Sequence, residues 1–288
     1  MPMTRANAPK IDFASSTYND KTIRLIAQMH KAISIIQFKL EAEIIRRRPE
    51  FKMEDRMLLH HIDFEKKTIT IDGTEYPLRD SLFPTIDPAD PYKLTEEEQD
   101  IVLKLHNSFT GSEKLRKHMK CLFRYGCMYN VCNSNLLFHA SMPLNEDGTL
   151  KEIDILGKKY KGESLLKRVG QLIRTAYFAE NDNEEKSFAL DYVWYLWCGK
   201  DSPAFDKSKM ATFERYFIAD AAAHKETKGF YYTLRDREDI CDMIMNEFGV
   251  EGEHRHIING HVPVKAVKGE KPIKANGKLM VIDGGFSK

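Results

Sequence analysis

A chain of 288 residues with 44 Lys plus Arg against 43 Asp plus Glu has a formal net charge of +1, so no global field draws it to nucleic acid or to an anionic membrane. The length suits one large domain or two smaller ones with a sizeable core. No apolar run approaches the roughly 18 residues that a spanning helix needs. Five cysteines, at 121, 127, 132, 198 and 241, form an odd set without Cys-x-x-Cys spacing. That argues against a disulfide framework and a zinc knuckle, and for a reducing, cytoplasmic setting with the thiols as small core residues.

Residues 1 to about 20 are polar and aperiodic and read as a tail. From Lys21 to Arg48, Ile26, Met29, Ile33, Ile36, Leu40 and Ile44 recur at steps of three and four, one face of a long helix stopped by Pro49. Arg46, Arg47 and Arg48 in its last turn either complement the helix dipole or form a phosphate patch. Met57 to Phe64 and Lys67 to Leu78 read as strands, with Asp72-Gly73 as a turn inside the second. On such a strand His60 and His61 point to opposite faces and cannot share a site. A proline-rich loop, residues 81 to 94, precedes Thr95-Glu96-Glu97-Glu98, a capping box that opens a helix. Ser112 to Tyr125 is a basic amphipathic helix ended by Gly126. Residues 21–125 are therefore expected to form a mostly helical unit with a small β-meander, and residues 126–288 the second unit.

In that second unit Glu152 to Tyr160 reads as a hairpin turning at Gly157. Helices are expected over Glu163 to Ala179, Phe188 to Trp197, Lys209 to Ala223 and Asp236 to Phe248. The aromatic residues of the second (Phe188, Tyr192, Trp194, Tyr195 and Trp197) serve either core packing or a sugar-binding cleft.

Two stretches share one design. Asn135-Leu136-Leu137-Phe138 runs into His139, with Pro143 shortly after, and Ile257-Ile258 runs into Asn259-Gly260-His261-Val262-Pro263. A third apolar run, Leu279 to Ile282, ends in Asp283-Gly284-Gly285-Phe286. Ligands of open α/β sheets gather beyond the carboxyl ends of strands. A histidine there either ligates a metal through neutral imidazole or is satisfied by loop hydrogen bonds. Two such histidines suit two sheet edges facing one site.

The paired pattern resembles the calcineurin-like metallophosphoesterases, and more closely the class III fructose-1,6-bisphosphatases of bacteria. The likeness runs from about Lys31 to Lys288. It is carried by His30 to Glu41, Pro84-Thr85-Ile86-Asp87-Pro88, Tyr192-Val193-Trp194-Tyr195-Leu196-Trp197-Cys198-Gly199, Met210 to Phe217, and Asn259 to Phe286. The resemblance implies an α/β (α+β) fold: the later half of a metallophosphoesterase sandwich, with residues 21–125 as a helical cap or insertion. It places His139 and His261 on a binuclear Mn2+ site that hydrolyses fructose 1,6-bisphosphate to fructose 6-phosphate in gluconeogenesis, and it is compatible with a homo-oligomer. The family's Asp-x-His, Gly-Asp-x-x-Asp and Gly-Asn-His-Asp motifs are absent. The expectation is therefore a segment, inactive alone, that supplies two ligands of a larger set. A bisphosphate also needs a basic clamp for the phosphate that is not cleaved, and Lys265, Lys274 and Arg215 are the candidates. The alternatives are a related phosphoesterase of other specificity and a non-catalytic module.

Overall fold

The computed structural model describes residues 20–265 and 269–283. Residues 1–19 of the expected tail, and Gly284 to Phe286 of the last motif, lie outside them. The fold is mixed α/β. The chain divides into two compact units, Met1–Glu113 with Met210–Glu226, and Lys114–Lys209 with Thr227–Lys288. The first division thus falls at Glu113 rather than near residue 125, and the first unit takes in a later segment. Among the described residues no helix is long and apolar enough to cross a membrane.

The first unit is built on α1 (Asp20–Arg47). Its buried face is Ala27, Ile35, Ile36, Phe38, Ala42 and Ile45, while Met29 and Ile33 of the expected stripe are 62% and 40% exposed. Apolar residues surround much of this helix, and buried charges decide which side turns inward. Lys39, fully buried, gives its ammonium to Glu98 Oε2 and to Thr85 O, each at 2.6 Å. Glu41 accepts from Arg56 Nη2 at 2.7 Å. Hydrophobic periodicity cannot register a face that carries paired ions.

Around α1 pack the antiparallel strands β1 (Ile62–Asp63), β2 (Thr68–Ile71) and β3 (Thr74–Pro77). Asp72 and Gly73, both at positive φ (51° and 76°), make the tight turn that matches strand twist. Residues 59–61 coil as a 3-10 turn instead of extending, which corrects the opposed histidines: the rings of His60 and His61 lie 3.9 Å apart. Thr95 and Glu98 close the expected capping box at the start of α2 (Glu96–Gly111). After α6 (Thr212–Phe217) the expected helix does not reach Ala223. Arg79 N donates to Phe217 O at 2.8 Å and Ile218 bridges to Leu78, an extended pairing that ends it.

The second unit begins with α3 (Glu113–Tyr125), β4 (Tyr129–Cys132) and β5 (Asn135–Phe138). The hairpin β6 (Ile153–Ile155) and β7 (Lys158–Tyr160) turns at Leu156-Gly157 as expected. Helices α4 (Gly162–Phe178) and α5 (Glu184–Cys198) follow, then α7 (Phe230–Leu234), α8 (Glu238–Glu247), β8 (His256–Asn259), β9 (Ile273–Lys274) and β10 (Leu279–Val281). On α5, Phe188, Tyr192 and Tyr195 are buried against one another, so these rings serve the core. Cys198 and Cys241 are buried, but Cys121, Cys127 and Cys132 are exposed, which corrects the expectation of five core thiols.

A five-stranded sheet runs in the order β4-β5-β8-β10-β9, with β5, β8 and β10 parallel and both edges antiparallel. Leu136, Ile257, Leu279 and Val281 are fully buried in it, in one core with Met142, Tyr231, Ile244 and Met245. Each such side chain contributes about 1.5–3 kcal/mol relative to exposure.

The Lys39–Glu98 pair yields a stability test. Lys39→Ala leaves a buried carboxylate without its partner, a change worth about 3–5 kcal/mol. Chemical unfolding is expected to show a loss of that size, and a loss within about 0.5 kcal/mol would show that the pair does not hold the first unit together.

Candidate functional site: two strand-end histidines

The parallel register of β5 and β8 pairs Asn135 with His256, Leu136 with Ile257 and Leu137 with Ile258. Parallel strands in register end level with each other. The pairing runs on past the strands, since Gly260 N donates to His139 O at 2.8 Å. His139 and His261 are therefore delivered to the same edge of the sheet. They sit on adjacent strands of one sheet, which corrects the expectation of two facing sheet edges.

His261 has φ +66°, in the left-handed region that a non-glycine side chain enters only when its surroundings hold it there. The holding is visible one residue back. Asn259, 1% exposed, donates from Nδ2 to Ala140 O at 2.9 Å and to Tyr231 Oη at 2.7 Å. Its backbone oxygen takes Ile282 N at 2.8 Å. One amide thus ties the chain beyond His139 to the core, while its backbone holds the chain leading to Asp283.

Nδ1 of His261 lies 3.2 Å from Nε2 of His139, and the rings meet edge to face at 5.1 Å. Burial, with the neighbouring His139 and Lys207, holds the His261 imidazole below its ordinary pKa, and Asp283 opposes this weakly. A neutral ring keeps a lone pair available. Two nitrogens 3.2 Å apart have the separation that neighbouring ligands of one ion require when each lies about 2.1 Å from it. The pair thus fits two coordination positions on a divalent metal. Among the described residues no group of three or more His, Cys, Asp or Glu side chains could hold an ion.

Hydrogen-bonded to Ser141, two residues beyond His139, is Asp206, 5% exposed and not anticipated from sequence. Burial pushes its carboxyl up to about 6, against a hydrogen bond from Ser141 Oγ that lowers it. A Cβ at position 229 would overlap this carboxylate, so glycine is required there by close approach. Phe205, one residue before Asp206, stands 6.2 Å from the His261 ring.

The three expected clamp residues are placed differently. Lys274 Nζ is engaged by Glu270 at 3.2 Å and Asp236 at 3.4 Å. Lys265 is exposed, and its backbone N–H donates to Glu270 at 3.0 Å. Arg215 belongs to the first unit, where it pairs with Glu226 at 3.3 Å and donates to His224 O at 3.2 Å.

A parallel sheet that brings two imidazoles to one point at its carboxyl edge defines an α/β protein with a pair of strand-end histidines. The chain belongs to the Firmicute fructose-1,6-bisphosphatase family, whose model matches residues 3–288. It is 71% identical over 281 residues to a fructose-1,6-bisphosphatase class 3 of Phocaeicola vulgatus, covering 97% of this chain and 42% of that protein. A Bacteroides fragilis protein of the same name is 69% identical over 281 residues (98% and 42%), and one of Clostridium acetobutylicum 56% over 280 (97% and 42%). The chain thus spans about two fifths of the length of these relatives. No solved structure matches it.

Asp206 yields a pH prediction. Its carboxyl titrates near 6 when folded and near 3.8 as an ordinary side chain, so between those values the folded state holds the extra proton. Stability must therefore fall as pH rises from about 4 to about 6, with the penalty complete above that range. The full difference is on the order of 3 kcal/mol. Asp206→Asn is expected to flatten this slope and raise the urea midpoint at pH 8 relative to pH 5. An unaltered pH profile would show that the carboxyl titrates normally.

Proposed function

We propose that this chain contributes His139 and His261 to the metal site of a fructose 1,6-bisphosphatase, which hydrolyses the bisphosphate to fructose 6-phosphate and inorganic phosphate. The observation that carries the reading is the 3.2 Å approach of the two imidazole nitrogens at the carboxyl edge of the sheet. The names of its relatives supply the substrate. A phosphate monoester repels nucleophiles by its own charge, and a bound pair of divalent ions, Mn2+ in this reading, offsets that charge and lowers the pKa of water. The chain's own part is to hold two neutral nitrogens at fixed separation. Neutral donors leave more positive charge on an ion than carboxylates do, and Asn259 with the left-handed turn at His261 keeps the donors in place. The remaining ligands would come from groups outside the described residues. The reaction would serve gluconeogenesis in the cytoplasm.

In the protein that carries this chain, Mn2+-dependent phosphate release from fructose 1,6-bisphosphate is expected to fall at least about 100-fold in His139→Ala or His261→Ala. The unfolding midpoint should stay near wild type, since neither ring is in the core. Undiminished turnover in both variants would remove these residues from the chemistry.

A further inference from the structure

We propose that Lys207, Lys228 and Arg235 form an oxyanion clamp, beside the histidine pair, that holds the phosphate of a sugar phosphate that is not hydrolysed. The assignment rests on the bisphosphatase reading for its ligand, but the cluster itself stands on its own geometry. None of the three residues was among the candidates from sequence.

The segments 206–208 and 227–229 run side by side. Gly229 N donates to Asp206 O at 2.8 Å and Ser208 N to Thr227 O at 2.7 Å. Lys207 and Lys228 are direct partners in this antiparallel bridge. Residues directly opposite project to one face, where like charges repel. Lys228 Nζ then lies 5.7 Å from the centre of the Tyr232 ring, and the Arg235 guanidinium 5.4 Å from the same centre. Lys207 Nζ stands 5.1 Å over Phe205, the ring that neighbours His261. The cluster therefore adjoins the histidine pair through one aromatic side chain.

Arg235 is the second observation. It is 3% exposed, and its Nε and Nη1 are buried without a hydrogen-bond partner. Its paired carboxylate, Glu270, is 3.9 Å away and also engages Lys274 at 3.2 Å. A buried guanidinium held so loosely is costly unless a further anion approaches. Glu270 is thus shared between Arg235 and Lys274, and Lys274 is also held by Asp236 at 3.4 Å. At Lys228, burial first, then Arg235, Lys265 and Lys207, hold the ammonium below the ordinary lysine value, with Glu270 opposing them. A dianionic phosphate lying between Lys207 and Lys228 would bind both ammonium groups within the field of Arg235. Lys207 and Lys228 reach solvent and would make the contacts, with Arg235 as the fixed charge beneath them.

Because Arg235 is buried, the two lysines carry the test. The metal-free chain, at pH 8 with chelator, is titrated calorimetrically with inorganic phosphate and with fructose 6-phosphate. The double variant Lys207→Ala/Lys228→Ala is expected to bind both at least about tenfold more weakly. Lys158→Ala, on the β6–β7 hairpin, should match wild type, and near-UV circular dichroism checks that each variant is folded. Equal affinity in wild type and double variant, or no phosphate binding by wild type up to about 10 mM, overturns the clamp. A protein that binds phosphate through this cluster yet releases none from fructose 1,6-bisphosphate overturns the bisphosphatase reading and leaves the clamp standing.

Discussion

The meeting of His139 and His261 depends on the parallel, in-register pairing of β5 with β8. A slip of one residue would exchange the faces of Leu136 and Ile257, both fully buried, and expose what the core needs. Burial therefore fixes the register, and the register fixes which residues leave the two strand ends together. The separation of the imidazoles is a by-product of hydrophobic packing some residues upstream. Little energy need be spent at the site itself, beyond the strained backbone of His261 and the buried amide of Asn259.

Much of this was legible in the sequence because it follows from local chemistry. Asp72-Gly73 and Leu156-Gly157 form turns whose backbone few residue pairs adopt. Thr95 and Glu98 cap their helix through side chains three residues apart. The two apolar runs ending in histidine pointed to strand ends, and the structure brings those ends together. What could not be read there was decided by partners distant in sequence. The inward face of α1 follows from Lys39 meeting Glu98 and Glu41 meeting Arg56. The early end of α6 follows from Leu78, and the 3-10 turn at His60 has no periodic signature. Asp206, Lys207 and Lys228 lie in segments without regular structure, so no pattern marks them, and only the bridge between them shows that they are neighbours.

Charge is treated differently in the two units. In the first, the buried ions are matched: Lys39 has Glu98 and a carbonyl, and Glu41 has Arg56. Matched buried pairs cost desolvation energy but fix one arrangement among several apolar alternatives. In the second, Asp206 is buried with its negative charge met by one hydroxyl and the field of Lys151, and Arg235 by a distant carboxylate. Incomplete neutralisation is a poor way to stabilise a fold and a good way to leave potential available to a ligand.

Glu98 has a further consequence, for the way the first unit comes apart. The same Oε2 accepts from Thr95 N at 2.9 Å, closing the first turn of α2, and from Lys39 at 2.6 Å, across 59 residues of sequence. The start of one helix and the docking of another are thus joined at a single atom. Local fraying, which ordinarily begins at a helix terminus, is here opposed by a long-range contact. The first turn of α2 is therefore bound to the fate of α1, and the two belong to one cooperative unit of opening.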